Sequence, residues 1–387
     1  MCIRDSRTAL AKAFKKSLRE IENCLNALRE LEEAKSALTE MDGKLILMGW
    51  IPEKKKQEFV ADLTHGTVTF EEFEGEAPVL LKTPHCFQSF EKLIVNFSYP
   101  RYGEINPVIP FSLIFLLLFG IMFGDVGHGV ILALIGWSVK KFSSTYPDLG
   151  QIFFLSGISS IIFGLLYGSV FGLHDLLPHL LFTPIENIEA TILFSLGIGV
   201  AVISLSFFLY IVTAIKRREP MLLFVSQGSL LWCIVYWFTI GILIKSLVQN
   251  MDVTYELMVI SILLIVIFIQ MLRKKQKHTQ AVIDLVREFM DLITNTVSFI
   301  RVGAFALAHG ALFMAVFSIA QIISESQGES LLYWLSIIVG NCVIIILEGV
   351  VVTIQTLRLE YYEFFKRFFK GGGLPYKPYS LGEKNAH

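Results

Sequence analysis

An arginine and a histidine stand inside one of the most apolar segments of the chain, ITNTVSFIRVGAFALAHGALF at residues 293–313. A guanidinium keeps its proton at any accessible pH, and an arginine at the centre of a bilayer costs about 2.5–3.5 kcal/mol on insertion scales. Such a residue normally faces protein or water and meets a carboxylate. The position of Arg301 therefore indicates ion chemistry, and His309, whose proton is exchangeable, could continue the same route.

Four polar residues lead up to Arg301 at spacings of three to four. They are Glu288, Asp291, Asn295 and Ser298. Residues three and four apart lie on one face of a helix, so the spacing predicts a single polar stripe that ends at the arginine.

Two further groups of polar residues lie in apolar surroundings. Glu348, Gln355 and Arg358 share roughly one face of a later helix, and Asp125 and His128 stand one turn apart in the junction GDVGHG. Ionisable residues within membrane segments mark ion pathways more often than they stabilise the fold. Three such groups predict a hydrated route for ions.

Each of these residues also has a purely structural interpretation. Glu348 could pair with Arg301 or with Arg358 only to join helices, although buried ion pairs are a poor source of stability. His309 could be a hydrogen-bonding bridge between helices. Asp125 could cap the N-terminus of the helix that follows it.

Several classes of function are excluded by what the sequence lacks. His174, Asp175 and His179 have no third strong ligand at helical spacing, so no metal site is predicted. The five cysteines are scattered and have no CxxC spacing. Neither GxxxxGK[ST] nor HExxH occurs, which argues against ATP hydrolysis by this chain and against an intramembrane zinc protease. No cofactor is indicated.

Composition assigns most of the 387 residues to a membrane, since 54% are hydrophobic and 17% charged and the mean hydropathy is +0.61. A helix needs roughly 20 apolar residues to cross a bilayer. After Pro107 the sequence predicts about eight spans by this rule, at 108–123, 126–142, 150–172, 190–214, 221–245, 254–272, 282–321 and 331–369.

Basic clusters fall at every second junction between these spans, namely Lys140/Lys141, residues 216–218, residues 273–277 and Arg367/Lys370. By the positive-inside rule the N-terminal region and the C-terminus are then both cytoplasmic. The last two spans are too long for a simple crossing. About 39 residues reach nearly 60 Å, so these helices must tilt, bend or extend beyond the bilayer.

The first 106 residues are charged and differ in kind from the rest. Apolar residues spaced by threes and fours from Leu10 to Met41 predict a coiled-coil-like helix that needs a second strand. A strand ending at Pro52, a short charged helix and a strand at Thr67–Phe73 predict a small α+β unit. We expect the native N-terminus to lie upstream, and MCIRDS has no signal-peptide pattern. The predicted fold is mainly α, with a partial cytoplasmic region (1–106) before a polytopic membrane helix bundle (107–387).

Three stretches resemble one known family. They are PRYGEINPVIPFSLIFLLLFGIMFGDVGHGVILALIG, SFIRVGAFALAHGAL and LEGVVVTIQTLRLEYYEFFKRFFKGGGLPYKPYSL. In this order they resemble the membrane subunit of V-type and A-type rotary ATPases, called subunit a or subunit I. The GWIPE stretch looks like the end of that family's cytoplasmic domain.

This resemblance implies roles for the polar residues. The two long tilted helices would press against a rotating ring of proteolipid subunits, with Arg301 facing the ring's carboxylates and Arg358 as the second arginine. Glu348, His309 and Asp125 match positions associated with two aqueous half-channels. Gln355 departs from members with histidine there. The cytoplasmic half-channel carboxylate is out of register, so Glu288 and Asp291 are both candidates.

The function implied is that of a non-catalytic stator subunit, which couples H⁺ or Na⁺ translocation to ATP hydrolysis or synthesis on separate subunits. Its partners would be the proteolipid ring, peripheral stalk subunits, the V1 or A1 sector indirectly, and lipid, but no nucleic acid. The family's range favours a bacterial or archaeal plasma membrane. The alternative is a secondary ion transporter with an internal site, which predicts inverted repeats; none is evident. A membrane scaffold with purely structural charges is a third interpretation.

Overall fold

The structure of the protein is a computed structural model. The residues that it describes are 2–36, 38–41, 44–63, 66–71, 77–143, 145–173, 183–217, 229–248, 254–273, 278–327 and 331–376. The histidines and aspartate at 174, 175 and 179, once weighed as metal ligands, lie outside these residues. The chain divides into two compact units, one of residues 1–80 with 373–387 and one of residues 81–372.

The smaller unit begins with helix α1, Cys2–Ser36, which confirms the predicted long helix. The prediction was wrong beyond Ser36, because Leu38–Met41 is strand β1 and pairs antiparallel with strand β2, Lys44–Leu47. The short charged helix is present as α2, Lys56–Asp62. The strand predicted at Thr67–Phe73 is absent from its described part, residues 67–71. Within the described residues the α+β unit is therefore one hairpin and one short helix.

The apolar stripe of α1 is not covered within the described residues. Phe14, Leu18, Ile21, Leu25 and Leu28 are each more than half exposed. Side chains spaced in this way on one helix face are typical of a helix that pairs with another helix. This agrees with the predicted need for a second strand.

The larger unit is almost entirely helical. Its helices in chain order are α3 (Gln88–Phe97), α4 (Val108–Met122), α5 (Val126–Phe142), α6 (Pro147–Tyr167), α7 (Ile188–Lys216), α8 (Leu230–Val248), α9 (Thr254–Arg273), α10 (His278–Ser298), α11 (Ile300–Gln327), α12 (Leu331–Leu359) and α13 (Phe365–Phe368). The predicted and observed bounds agree closely for α5 and α9. The span predicted from residue 221 begins outside the described residues, and its helix is observed from Leu230.

By length and composition, five helices or continuous helical runs could cross a membrane. They are Pro147–Tyr167, Ile188–Lys216, Thr254–Arg273, His278–Ser326 and Leu331–Phe368. Val108–Met122 and Leu230–Ser246 are apolar but shorter, and α5 has 17 residues with lysines in its last turn. The predicted count of about eight spans is therefore not confirmed, although a membrane protein with several spans is.

Helix α4 lies in the core of this unit. Phe111, Phe115, Leu118 and Phe119 are all fully buried, and Phe115 packs edge-on against Phe90 of α3 at 5.4 Å between ring centroids. The 15 residues of α4 reach roughly 22 Å, short of a hydrocarbon core of about 30 Å. The apolar character of α4 therefore does not by itself make it a span.

Helices α5 and α6 pack so closely that their glycines cannot be replaced. A Cβ atom on Gly136 would lie 2.3 Å from the backbone nitrogen of Phe154, and one on Gly157 would lie 2.5 Å from that of Ala133. Small residues at a helix interface let two backbones approach closely, as is common in membrane proteins. This rigid pair supports the loop that carries Asp125.

The last two helical runs are each interrupted once. Phe299 separates α10 from α11, two residues before Arg301, and its N–H donates to Thr296 O at 3.2 Å. The second run contains a π-helical turn at Glu360–Phe364, between α12 and α13. Such turns often occur at functional sites. The sequence predicted that these long runs must tilt or bend, and the structure places a local irregularity in each.

Candidate functional site

The polar residues of the larger unit form two separate groups. The first, here called the histidine cluster, contains Asp125, His128, His309, Asn341 and Glu348. Asp125 and His128 are fully buried, and His309 and Glu348 are 6% and 5% exposed. Buried polar groups at this depth must be hydrogen-bonded to be tolerated, so their partners decide what the cluster can do.

Asp125 is fully engaged by donors of its own chain. Its Oδ1 accepts from the N–H groups of His128 at 2.9 Å and Phe171 at 3.0 Å. Its Oδ2 accepts from Ser169 Oγ at 2.7 Å and Gly172 N–H at 2.9 Å. The residue is the N-cap of α5, and it ties that helix to the loop after α6. The capping interpretation of Asp125 thus has direct structural support.

The loop held by Asp125 is strained. Phe171 has a φ of 50°, which is an outlier for a bulky side chain. Its N–H group is nevertheless fixed by the carboxylate, and its ring packs edge-on against His128 at 5.8 Å between centroids. Gly172 follows with a φ of 73°, where a Cβ atom would lie 2.3 Å from the Phe313 ring. Strain of this kind persists where several surrounding contacts hold the backbone in an otherwise unfavourable conformation.

His309 and Glu348 form a hydrogen-bonded pair between α11 and α12 through Nδ1 and Oε2. The sequence had raised the possibility that Glu348 pairs with Arg301 or Arg358, and the structure instead gives it a histidine partner. Nε2 of His309 has no hydrogen-bond partner among the described residues. His309 also lines a small cavity with Tyr167 and Ile185.

The second group, here called the arginine cluster, contains Ser298, Arg301 and Glu363. Ser298 Oγ donates to Glu363 Oε1 at 2.7 Å, and Arg301 Nη2 makes a long contact of 3.5 Å with the same Oγ. Nη1 of Arg301 has no hydrogen-bond partner in the part of the chain that the structure describes. The guanidinium is partly buried and only partly satisfied.

The other residues predicted on α12 lie apart from this cluster's hydrogen bonds. Arg358 is exposed and Gln355 is half-buried. The positive charge of Arg358 still acts on Arg301, and it opposes the effect of the negative charge of Glu363. Along the face that these residues were predicted to share, exposure therefore increases from the buried Glu348 to the exposed Arg358.

The polar stripe that leads up to Arg301 meets basic side chains. Glu288, Asp291 and Asn295 line one cavity together with Lys366 and Arg367, and Lys366 Nζ donates to Asp291 Oδ2 at 2.7 Å. Three of the four residues of the predicted stripe on α10 thus line the same cavity. The stripe's basic partners come from α13, which the sequence analysis treated only as a basic terminus.

Three polar residues in or beside these clusters, two of them buried, were not singled out from the sequence. Glu363 bonds Ser298, Asn341 bonds His128, and Glu360 is fully buried with neither carboxylate oxygen bonded to a described residue. Each stands in a long apolar run, and that signal was available in EYYEFF and VGNCV. The π-helical turn that determines where Glu360 and Glu363 point has no sequence signature that we could have used.

Comparisons with known proteins agree with the motifs. The model of the V-type ATPase 116 kDa subunit family matches residues 5–174 and 279–381. A-type ATP synthase subunit I of Methanocaldococcus jannaschii is 26% identical over 97% of this chain and 60% of its own length. The subunit I of Saccharolobus solfataricus is 25% identical over 96% and 66%, and that of Archaeoglobus fulgidus is 26% identical over 86% and 58%.

The chain therefore spans less than two thirds of the length of these relatives. All three motifs and both polar clusters lie within the residues that the family model matches, and the match covers more than half of the chain. The resemblance drawn from the motifs is thereby confirmed: the chain belongs to the V-type ATPase 116 kDa subunit family.

Proposed function

We propose that this protein is the stator membrane subunit of a V/A-type rotary ATPase, and that it provides ion half-channels beside a proteolipid ring. In this function Arg301 drives ion exchange on the ring's carboxylates, and ion flow is coupled to ATP hydrolysis or synthesis on separate subunits. The relatives that support this assignment are named A-type ATP synthase subunit I.

One observation carries the proposal: the guanidinium of Arg301 lies in the longest apolar helical run, His278–Ser326, and is incompletely satisfied by described residues. Ser298 offers it one long contact, and the carboxylate of Glu363 is engaged by that serine. A buried charge that lacks a full set of partners is costly. A carboxylate supplied by another polypeptide would complete it.

The physical chemistry of the exchange follows from the residue type. A permanent positive charge favours the ionised form of each carboxylate that approaches it and so displaces a bound cation. The same charge repels a cation that would otherwise pass directly between the half-channels. Lysine would serve poorly, because it loses its proton more readily in a dry environment.

Two hydrated routes would lead to this point. The cavity beside His309 is a candidate for one half-channel and the cavity lined by Glu288, Asp291 and Asn295 for the other. The partners would be the ring, peripheral stalk subunits that bind through the cytoplasmic region, and indirectly the catalytic sector. Both termini would be cytoplasmic.

The test is ATP-driven ion uptake into vesicles that contain the whole complex, with wild type compared with Arg301→Ala and Arg301→Lys after equal assembly is confirmed. We expect both variants to lose uptake by more than about 100-fold, as for removal of a transition-state charge. Arg287→Ala, an exposed arginine on α10, is the matched control and should keep uptake. Uptake retained by a fully assembled Arg301→Ala complex would refute the proposal and favour the scaffold interpretation.

A further inference from the structure

Asn341 on α12 contacts His128 on α5 in a way that determines which ring nitrogen of the histidine carries a proton. Oδ1 of Asn341 lies 2.8 Å from Nε2 of His128, and Nδ2 of Asn341 donates to Ile337 O at 2.9 Å. The opposite amide orientation would set Oδ1 against that carbonyl oxygen, which can only accept. The amide oxygen therefore faces the histidine, and Nε2 of His128 must be the donor.

The other nitrogen of His128 is then the only one open to exchange. Nδ1 has no hydrogen-bond partner among the described residues. In the neutral ring this atom is a lone-pair acceptor, because one nitrogen of a neutral imidazole donates and the other accepts. The His128 side chain is fully buried and packs against Phe313 with ring centroids 4.8 Å apart, so its open nitrogen faces a closed, mostly aromatic space.

The ring of His309 is the neighbouring titratable group, although its Nε2 and the Nδ1 of His128 are not hydrogen-bonded to each other in this structure. The rings of His128 and His309 have centroids 5.7 Å apart and are nearly perpendicular. His309 pairs through Nδ1 with Glu348, and its Nε2 has no hydrogen-bond partner among the described residues. The charged or titratable groups that act on His128 are Asp125, His309 and Glu348, and Asp125 is occupied by its four donors.

We propose that Asn341 is a positioning residue that makes His128 a one-nitrogen proton store for the His309–Glu348 pair. For the transfer the two rings turn toward each other, the Nε2–H bond of His309 breaks, an Nδ1–H bond forms on His128, and the positive charge moves with the proton. The amide oxygen of Asn341 is not basic, so the Nε2 proton of His128 stays in place. The stored proton returns to His309 through Nδ1. Because it enters and leaves His128 by the same nitrogen, His128 holds a proton beside the route and does not pass it onward.

This inference rests on the proposed function and adds that protons move through the histidine cluster. It is tested with the whole complex, selectively labelled with ¹⁵N-histidine, by nitrogen NMR and by ATP-driven proton uptake into vesicles. The His128 signal is identified by its loss in His128→Gln. Asn341→Leu removes the acceptor at similar size, and Asn341→Asp keeps an oxygen facing the ring. Cys342→Ala, at an exposed neighbouring position, is the control.

We expect wild type and Asn341→Asp to show His128 with its proton on Nε2. In Asn341→Leu neither nitrogen of His128 has an acceptor, so the proton should no longer be confined to Nε2 and the signal should report both tautomers. Uptake should fall by roughly 100-fold, the lower end of effects for a positioned proton-transfer group. An unchanged His128 signal in Asn341→Leu would overturn the inference, as would equal loss of uptake in Asn341→Asp or in Cys342→Ala. If Arg301→Ala retains uptake, the proposed function fails, whereas the NMR result on Asn341→Leu still decides the role of Asn341.

Discussion

The two polar clusters of the larger unit differ in how completely the chain itself satisfies them. In the histidine cluster Asp125 accepts four hydrogen bonds, and Glu348 is paired with a histidine. In the arginine cluster Arg301 has one long contact and one guanidinium nitrogen without a partner among the described residues. The carboxylate of Asp125 is built into the fold, whereas the guanidinium of Arg301 is left open.

This difference separates residues that hold the structure from residues that await something outside it. A carboxylate engaged by four donors cannot be removed without leaving those donors unsatisfied. An open guanidinium can be removed with little cost to the fold, since few contacts depend on it. Replacement of Asp125 should therefore affect assembly first, and changes in the arginine cluster should affect transport first.

Among the changes that test this difference between the clusters, Asp125→Ala should have the largest effect. Four donors lose their acceptor, at about 1–3 kcal/mol for each buried group left unsatisfied, and α5 loses its N-cap. We expect a loss of several kcal/mol in stability on this scale, measured as lower assembly yield and faster trypsin cleavage of the subunit in the purified complex.

Glu325→Ala is the matched control for this change, because Glu325 is an exposed acid on α11 whose carboxylate accepts one long bond from Gln321. It should assemble as wild type does. If Asp125→Ala assembled fully and lost only ion uptake, Asp125 would belong to the ion route, and the distinction between the two clusters would be wrong.

A smaller effect of a different kind is expected for Ser298→Ala. The serine joins Arg301 to Glu363, and a hydrogen bond to a charged group is worth about 1.5–3 kcal/mol. Without it the guanidinium is positioned less precisely, so ATP-driven uptake should fall by roughly tenfold, the equivalent of 1.4 kcal/mol, while assembly stays normal.

Ser318→Ala tests the same substitution on α11, where the hydroxyl bonds only the Met314 carbonyl of its own helix. Uptake should not change. An Ser298→Ala complex that failed to assemble would indicate that the arginine cluster is as structural as the histidine cluster.

The sequence predicted most of the helices and the larger part of both clusters. The apolar runs and the GDVGHG junction set the bounds of α5, and the spacing from Glu288 to Ser298 predicted one polar face on α10. Both follow from local composition and helical periodicity. The same reasoning also identified Asp125 as a possible cap, which its contacts support.

The missed features depend on contacts between distant segments. Ser206 Oγ donates to Phe364 O at 2.8 Å, which satisfies a carbonyl in the π-helical turn. That turn directs Glu363 to Ser298, and nothing within EYYEFF itself predicts it. The role of Asn341 likewise depends on α12 meeting α5, so the residue looked like an isolated polar side chain in an apolar run.

The smallest effect, and one of opposite sign, is expected within that π-helical turn. Glu360 is fully buried and its carboxylate oxygens have no described partner, whereas Glu363 is bonded to Ser298. Replacing an unsatisfied buried polar group with an apolar one of similar shape is nearly neutral or stabilising. Glu360→Met should therefore raise thermal stability of the complex by about 1 kcal/mol and leave uptake unchanged.

Glu363→Met is its matched partner, one turn away, and it should lower uptake because Ser298 loses its acceptor. Both variants are measured by thermal unfolding of the purified complex and by uptake at equal assembly. Loss of uptake in Glu360→Met would mean that this buried carboxyl exchanges with a group outside the described residues. Both carboxyl groups of this turn would then be required for ion flow. An unsatisfied buried acid could therefore belong to the ion route just as the open Arg301 does.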